Sequence, residues 1–420
     1  MNDAINAAAA TAAAAPHDAL MNITARPQQR FSRGEGDWLR DEAGRRYLDW
    51  VQGWAVNALG HCAPEIVQAL QQQSTRLLHG GPGLHNDQAP LLAEALAQSS
   101  GLPQVFFTNS GADANEGMVK LARKYGQRHK GGAHKIIAFT NAFHGRTLAM
   151  MSASGKPGFA DIYPPRVPGF VHGRYNDLAS AEALIDAQTV GIMLELVQGE
   201  AGVIPATPEF VHGLRAMCDR HGLLLLVDEV QTGMGRCGTL FAHQHYGVKP
   251  DLMSLGKGLG GGVPIGATLA SAAVAACLAH GDLGGTYNGN ALVCAVGRAV
   301  LQTVAQPAFL SRVREQAQWL AAELAALSAR LELGEVRHCG LLLALELPPQ
   351  LPAARVVEIA RDAALLPGGI GLLLNAARPH TLRLMPALNS PREHLAQGLV
   401  LLETALRAAA AAHAPAYSPR

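Results

Sequence analysis

The chain has 420 residues, of which 49% are hydrophobic and 16% are charged. A chain of this length usually forms two domains, and this composition excludes a largely disordered protein. The formal net charge is only +1 and no cluster of Lys and Arg occurs, which argues against nucleic acid or an anionic membrane as the main partner.

Residues 1–20 are rich in alanine and contain neither Lys nor Arg. Because a secretory signal begins with basic residues and a transit peptide is rich in arginine, we predict a disordered leader instead. No two of the six cysteines form a Cys-x-x-Cys pair, which favours free thiols in a reducing cytoplasm.

Short apolar segments recur through the first two thirds of the chain, at 104–107, 135–139, 191–196 and 223–227. Helical patterns separate them, for example at 208–221. This alternation predicts an α/β fold in which a mostly parallel central sheet is covered by helices on both faces.

The pattern changes after about residue 295. A long helical pattern extends to about Leu331, and strand patterns follow at 340–347 and 381–385. Ser390, Pro391 and Glu393 then match a capping box at the start of a last helix.

We therefore predict a larger domain with the sheet and a smaller α+β domain. The N-terminal segment is expected to pack with the smaller one. The predicted divisions are a leader (1–20), an N-terminal segment (21–75), a large domain (76–294) and a small domain (295–420).

Lys257 lies among five glycines within residues 256–262. Part of this stretch fits the dinucleotide-binding pattern G-x-G-x-x-G, but a strand pattern follows it where such a site requires a helix. A P-loop is excluded as well, because it would require Ser or Thr after the lysine. Without neighbouring Cβ atoms a flat ligand can approach Lys257 closely, and partial burial would lower the pKa of its amine. A Schiff-base lysine needs both properties, whereas the alternative is an ordinary surface lysine.

Asp228 and Glu229 follow the apolar segment 223–227. A carboxylate at the carboxyl end of a parallel strand points into the ligand crevice. A pyridine-ring cofactor held as an imine needs such an anion at its ring nitrogen. The alternative role for Asp228 is a helix cap.

Two further segments supply groups that suit a phosphorylated, flat cofactor. Ser110, Gly111 and Ala112 begin a predicted helix, where backbone N–H groups favour an anion. Phe143 offers a ring for stacking, and Arg146 offers a guanidinium that can bind a carboxylate with two hydrogen bonds.

Taken together, these segments resemble the class III (ω-amino acid) aminotransferases, which are pyridoxal 5'-phosphate (PLP) enzymes of fold type I. The likeness covers about residues 23–408 and is strongest to the acetylornithine aminotransferases. The motifs that carry it, in order, are SGADAN (110–115), FHGRT (143–147), VQGEAG (197–202), VDEVQTGMGR (227–236), SLGKGLGGGVPIGA (254–267) and GGTYNGNAL (284–292).

The resemblance implies a homodimer with shared active sites and a role for each matching residue. Lys257 would bind PLP and move the proton, and Asp228 would pair with the pyridine nitrogen. The other cofactor contacts would be Ser110, Gly111, Ala112, Phe143, Glu229, Val230, Gln231 and, from the partner subunit, Thr286. The substrate contacts would be Arg146, Gly285, Glu200 and Arg383, the last two forming a switch between two kinds of substrate. No metal is expected.

The implied reaction moves the δ-amino group of N-acetylornithine to 2-oxoglutarate, as in arginine biosynthesis. The alternatives are succinyl-diaminopimelate, ornithine δ- or 4-aminobutyrate transamination, an internal aminomutase, or a PLP-binding regulator without turnover. The chain departs from the family pattern near the substrate pocket, at Thr24, Leu84, His85, Leu196 and Gly285.

Overall fold

The structure is a computed structural model that describes residues 19–21, 23, 24 and 26–411. The predicted leader therefore lies almost entirely outside the described residues. Within them, the strands form four sheets. In chain order the strands are β1 (Phe31–Glu35), β2 (Trp38–Asp41), β3 (Arg46–Asp49), β4 (Gln104–Thr108), β5 (Lys135–Phe139), β6 (Phe170–Gly173), β7 (Thr189–Glu195), β8 (Val197–Gln198), β9 (Ile204–Pro205), β10 (Leu224–Asp228), β11 (Leu252–Leu255), β12 (Gly266–Ala270), β13 (Val336–Cys339), β14 (Leu342–Glu346), β15 (Ile370–Leu373), β16 (Asn375–Arg378) and β17 (Thr381–Leu384).

Helices alternate with these strands in the middle of the chain and dominate its last third. In chain order they are α1 (Pro64–Ser74), α2 (Gln88–Ser100), α3 (Gly111–His129), α4 (Leu148–Ala153), α5 (Leu178–Glu182), α6 (Pro208–His221), α7 (His243–Tyr246), α8 (Ala272–Ala275), α9 (Ala291–Val304), α10 (Pro307–Arg330), α11 (Ala353–Arg361) and α12 (Arg392–Ala411). An irregular helical turn at Gln52–Ala55, whose four residues have positive φ values, precedes α1. Short 3-10 turns occur at Phe159–Asp161, Lys257–Leu259, Ala363–Leu365 and Pro367–Gly369.

The central sheet has seven strands in the order β4-β12-β11-β10-β7-β5-β6. Only β12 runs antiparallel to its neighbours β11 and β4. Each of the four apolar segments of the sequence became one of these strands, and the mostly parallel sheet confirms the predicted α/β fold.

Strand β10 shows why the sheet is apolar on both faces. Leu224 and Leu226 pack into the core formed with α3, whereas Leu225 and Val227 pack into the core formed with α6. Side chains alternate between the faces of a strand, so Asp228 follows on the face of α3. The carboxyl end of β10 thus brings a carboxylate to the N-terminal end of that helix.

The remaining large sheets lie outside this layer. Strands β1–β3 pair with β15, so the N-terminal segment shares a sheet with a strand from the last third of the chain. A second four-stranded sheet has the order β13-β14-β17-β16 and carries Arg383 on β17. The division into domains stays a prediction, and its boundary at 294/295 falls inside α9.

Two predictions about the C-terminal helices were wrong. The long helical pattern after about 295 is interrupted, because Pro307 begins a new helix and α9 and α10 meet at a bend of 70°. The capping box does not form, since the Ser390 hydroxyl donates to Asp37 Oδ1 at 2.6 Å and the Ser390 N–H donates to the Ala387 carbonyl at 3.2 Å.

In the described part of the chain, no single helix combines the length and the apolar composition of a membrane span, although the bent pair α9–α10 meets both criteria when its helices are counted together.

Candidate active site

A cavity of about 270 Å³ lies where the carboxyl ends of β7 and β10 meet the start of α3. It brings together residues from five separate segments of the chain. The predicted site residues that line it are Gly111, Ala112, Phe143, Arg146, Glu200, Asp228, Val230, Gln231 and Lys257.

Lys257 follows β11 and begins a 3-10 turn. Its φ of 41° is in the left-handed region, which is uncommon for a residue with a side chain and is found at functional sites. Burial lowers the pKa of the Lys257 amine, and the charge of Arg383 lowers it further, against the opposing effect of nearby carboxylates. At a given pH, a larger fraction of the Lys257 amine is therefore neutral than in a surface lysine.

Asp228 is held by several donors at the end of β10 and is only 4% exposed. Its Oδ2 accepts from Asn115 Nδ2 at 2.7 Å and lies 2.8 Å from His144 Nδ1, while its Oδ1 accepts from the Val230 N–H at 3.0 Å. Ser254 donates to the same carboxylate at 3.4 Å. These donors fix the position of the Asp228 carboxylate at the cavity wall.

The start of α3 forms the second wall of the cavity. Ser110 caps this 19-residue helix by accepting from the Asp113 N–H at 3.2 Å. A side chain at position 111 would overlap Val230, and one at position 256 would press on Gly111. The two glycines therefore let Val230, residue 256 and the first turn of α3 pack closely together. The amides at the positive end of this helix favour an anion such as a phosphate.

Phe143 and Arg146 form the opposite wall. The Arg146 guanidinium lies 5.8 Å from the ring centroid of Phe143 and 5.5 Å from that of Phe159. Arg146 is exposed to the cavity mouth. Stacking against the rings holds the guanidinium at the entrance, where it can bind a carboxylate.

Glu200 and Arg383 form an ion pair at the far side of the cavity. Arg383 Nη2 lies 2.7 Å from Glu200 Oε1, its Nη1 donates to Gln231 Oε1 at 3.3 Å, and its Nε donates to Asn375 Oδ1 at 3.0 Å. The arginine is 1% exposed, whereas the glutamate side chain is 29% exposed. Burial would raise the pKa of Glu200, but the charge and hydrogen bond of Arg383, together with the charges of Lys257 and Lys156, lower it overall.

Comparison with known proteins decides the family. Residues 23–406 match the family model described as Aminotransferase class-III. The chain belongs to the class III aminotransferases.

Two curated relatives and one solved structure illustrate the likeness. The chain is 54% identical over 391 residues to acetylornithine aminotransferase 2 of Bordetella pertussis, covering 93% of this chain and 97% of the relative. It is 44% identical over 378 residues to succinylornithine transaminase of Yersinia pseudotuberculosis, covering 88% and 90%. The crystal structure of N-acetylornithine aminotransferase from Stenotrophomonas maltophilia superposes with a TM-score of 0.80 at 35% identity, covering 92% and 98%.

Membership of this family confirms that the chain is a PLP-dependent aminotransferase, and the residues of the cavity fit the cofactor. Lys257 supplies an amine of lowered pKa and Asp228 a buried carboxylate for the ring nitrogen. The start of α3 supplies amides for the phosphate. Val230, which packs against Gly111, supplies an apolar side chain to the cavity wall for a planar ring to contact.

Five predicted contacts of this aminotransferase do not line the cavity. Ser110 caps α3 beside it, and Arg383 contacts the lining residues Glu200 and Gln231 from behind them. The other three lie elsewhere. Glu229 does not line the cavity, because its carboxylate accepts from the Ala242 N–H at 2.6 Å and the His243 N–H at 2.8 Å and holds the start of α7. Gly285 and Thr286 lie outside the cavity of their own chain, and Thr286 is exposed. Their predicted roles, that of Thr286 in the partner subunit, stay predictions.

Sequence reasoning missed several side chains around Asp228. Asn115 Nδ2 donates both to Asp228 Oδ2 and to the His144 carbonyl, each at 2.7 Å. Its Oδ1 accepts from Ser254 Oγ at 2.6 Å. Burial would lower the pKa of His144, but its hydrogen bond to Asp228 and the charge of that residue raise it. Asn115 and His144 belong to the motifs SGADAN and FHGRT, which were the only available signal.

Glu195 is the other missed residue, and it lies beside Asp228. The two residues are in register at the ends of the parallel strands β7 and β10. Glu195 Oε2 accepts from the Phe143 N–H at 2.9 Å. Burial raises the pKa of this carboxyl to about 8, and the charge of Asp228 acts in the same direction. Glu195 therefore keeps its proton to a higher pH than an ordinary carboxyl group.

Glu195→Gln is expected to change the pH dependence of stability. The folded-state pKa of about 8 lies above the ordinary value of 4.5, so wild-type protein loses stability as pH rises between these values and no further above them. The amide cannot ionise, so the stability of the variant relative to wild type should increase as pH rises between these two values. Each unit of pKa shift corresponds to about 1.4 kcal/mol of unfolding free energy. Urea unfolding of cofactor-free protein at about pH 5 and about pH 8.5 measures this. If the difference in unfolding free energy between the variant and wild type were the same at both pH values, Glu195 would have an ordinary pKa.

Proposed function

We propose that this enzyme transfers the δ-amino group of N-acetylornithine to 2-oxoglutarate, giving N-acetylglutamate 5-semialdehyde and glutamate. The observation that carries the proposal is the ion pair between Glu200 and Arg383 beside Lys257. It gives one cavity a way to accept both an ω-amino donor and an α-keto acid. The relatives named acetylornithine aminotransferase support the choice of donor.

The chain's own residues divide the chemistry of the cavity. Bound PLP supplies an aldehyde that forms imines and a ring that accepts electrons from the reacting carbon. Asp228, held in place by its hydrogen-bond donors, would face the ring nitrogen and stabilise its protonated form. The neutral amine of Lys257 would take the proton from the reacting carbon and deliver it to the carbon that was the cofactor's aldehyde, on the other side of the nitrogen.

In the first half-reaction the donor's reacting carbon bears no carboxylate. Arg146 at the cavity mouth binds the donor's distant α-carboxylate through its guanidinium. Glu200 stays paired with Arg383, so the arginine is neutralised and does not draw the donor into the wrong orientation. The ω-amino group is then directed to Lys257.

In the second half-reaction the α-carboxylate of 2-oxoglutarate replaces Glu200 as the partner of Arg383. An arginine binds a carboxylate with two parallel hydrogen bonds, which fixes the keto group beside Lys257. Because a buried arginine without a partner is costly, one carboxylate or the other should always be present. Glu200 is the movable partner because its side chain is partly exposed, whereas that of Arg383 is buried.

The switch is tested with Glu200→Ala and Arg383→Ala. We expect Glu200→Ala to lower kcat/KM for N-acetylornithine while sparing or raising that for glutamate. Arg383→Ala should damage the glutamate half-reaction most, by about a hundredfold if a charge-assisted pair worth about 3 kcal/mol is lost. Single-turnover rates with each donor measure both effects.

A matched control is Arg337→Ala, since Arg337 pairs with Glu346 and donates to the Gly202 carbonyl without lining the cavity. It should leave the ratio of the two half-reactions unchanged. Equal losses for both donors in Glu200→Ala would mean that Glu200 only supports the fold and that the switch lies elsewhere.

A second candidate donor is N-succinylornithine, because one of the relatives is named succinylornithine transaminase. Both acylornithines share the ω-amino group and the α-carboxylate and differ only in the acyl group. The cavity contacts described above serve either donor. Competition between the two acylornithines in one reaction separates the candidates.

We also infer a homodimer in which Thr286 of one subunit contacts the phosphate in the other. Mixed dimers of Lys257→Ala and Thr286→Ala subunits should contain one site with both lesions and one with neither. Activity should therefore recover partly on mixing. Lys257→Ala mixed with Asp228→Asn is the control, because both sites of that mixed dimer are damaged. If subunits exchange but only the control behaviour is seen, Thr286 serves its own subunit.

We further infer a cytoplasmic enzyme that acts on small molecules and requires neither nucleic acid nor a membrane. The six cysteines, all within the described residues, are free, which suits a reducing compartment. The low net charge agrees with small-molecule substrates.

A further inference from the structure

Arg236 is a buried cation without an acidic partner among the described residues. It is 2% exposed, and it forms no ion pair with any carboxylate of the described chain. Burial lowers the pKa of its guanidinium to about 10, and Nη2 is buried without a hydrogen-bond partner. Burying an unpaired charge destabilises the fold, so the hydrogen-bond partners of Arg236 should indicate its role.

The guanidinium joins two parts of the chain that carry the active site. Nη1 donates to the Leu341 carbonyl at 2.9 Å and to the Pro386 carbonyl at 2.7 Å. The Arg236 carbonyl in turn accepts from the Leu341 N–H at 3.0 Å. Arg236 itself lies in the segment that follows Asp228 along the chain.

Pro386 is what connects this residue to substrate binding. It follows the end of β17, three residues after Arg383. The Arg236 guanidinium thus links the segment after Asp228 by a hydrogen bond to the residues that follow β17, the strand that carries Arg383. The only other polar link between these segments near the cavity is the weaker contact of 3.3 Å between Gln231 and Arg383, as far as the described residues show.

We propose that Arg236 is a positioning residue that holds Arg383 at the distance from Lys257 that the α-carboxylate of a dicarboxylate substrate requires. The inference rests on the proposed function, because it assumes that Arg383 binds the α-carboxylate of glutamate and 2-oxoglutarate. It predicts an effect confined to ligands that use Arg383. Ligands that need only Arg146 should bind as before.

Two inert ligands separate these cases in the holoenzyme. Glutarate has a carboxylate for Arg146 and a second for Arg383, whereas valerate has only one. In Arg236→Met, calorimetry should show glutarate binding weakened by about tenfold or more, with valerate binding changed by less than about twofold. Arg236→Lys keeps a buried donor and should restore part of the glutarate affinity.

Arg314 offers a matched control. Its Nη1 donates to the Gly238 carbonyl at 2.8 Å, so it supports the same segment as Arg236 but from α10. Arg314→Met should leave the ratio of glutarate to valerate affinity unchanged. Melting temperatures of all variants report whether each still folds, and Arg236→Lys keeps the test open if Arg236→Met does not.

The outcomes distinguish this proposal from the proposed function. Selective loss of glutarate binding in Arg236→Met, partly restored in Arg236→Lys, supports the positioning role. Parallel loss of both ligands, or no loss of either in folded Arg236→Met and Arg236→Lys, overturns it. Failure of the proposed function would instead show in wild-type protein, as poor turnover of N-acetylornithine or as glutarate binding that Arg383→Ala does not weaken.

Discussion

Replacing Lys257 by alanine is expected to abolish transamination while leaving the protein folded. The variant loses the amine that we propose binds PLP covalently and moves the proton, and general acid–base catalysis alone contributes up to about 10⁴-fold. PLP should still bind noncovalently, because the groups for its phosphate and ring nitrogen remain. Borohydride reduction followed by peptide mass mapping, together with turnover assays, measures both effects.

Lys156→Ala serves as the control, since Lys156 lies 6.0 Å from the ring centroid of Phe159 near the cavity but does not line it. It should keep both covalent PLP and activity. Covalent attachment of PLP to another lysine in active Lys257→Ala protein would contradict the assignment. Arginine at position 257 would not rescue function, because its guanidinium stays protonated.

Asp228→Asn is expected to bind PLP but to transaminate at least about a hundredfold more slowly, a loss of about 3 kcal/mol. The amide cannot hold the ring nitrogen protonated as a carboxylate does. It also brings an NH₂ group toward donors, since Asn115 and His144 both reach Oδ2 of the native carboxylate. Pre-steady-state rates with one donor and the Kd of PLP measure the two effects separately.

Glu229→Gln is the matched control for Asp228→Asn. Its carboxylate accepts the amides at the start of α7 and does not face the cavity. The change should lower the melting temperature while leaving the rate per folded site nearly unchanged. If Asp228→Asn kept wild-type turnover and Glu229→Gln lost it, the two carboxylates would have to exchange roles.

The sheet could be predicted because burial on both faces leaves a direct trace in the sequence. Each buried parallel strand is a short apolar run, and the predicted runs became β4, β5, β7 and β10. Helix α6 begins and ends at the predicted residues, because Pro208 is favoured in the first turn and Gly222 favours the left-handed end. The break at Pro307 was available from the same rule and was overlooked.

A site residue could be predicted only where the residues next to it in the sequence form a recognisable pattern. Lys257 stood out by its glycines and Asp228 by the strand that it ends. Glu229 does not line the cavity, because adjacent side chains alternate between the faces of a strand, and the sequence does not tell which face carries α3. Glu195 had no sequence signal, since its raised pKa arises from the register of two strands distant in the chain.

Ser390 shows the same limit at a helix start. The sequence pattern of a capping box was present, but Asp37 from the other end of the chain accepts the hydroxyl. A local motif states what a side chain can do, and tertiary contacts decide which partner it takes. The roles of Arg236 and His144 likewise depend on partners far away in sequence.

The most direct test of the account is a screen of single amino donors against the PLP form of the enzyme. Stopped-flow absorbance follows the disappearance of lysine-bound PLP with N-acetylornithine, ornithine, 4-aminobutyrate and glutamate. The account predicts fast single turnovers with N-acetylornithine and glutamate, and kcat/KM for N-acetylornithine at least about tenfold above that for ornithine or 4-aminobutyrate, equivalent to about 1.4 kcal/mol. Preference for ornithine or 4-aminobutyrate, or failure of glutamate to react at all, would contradict it.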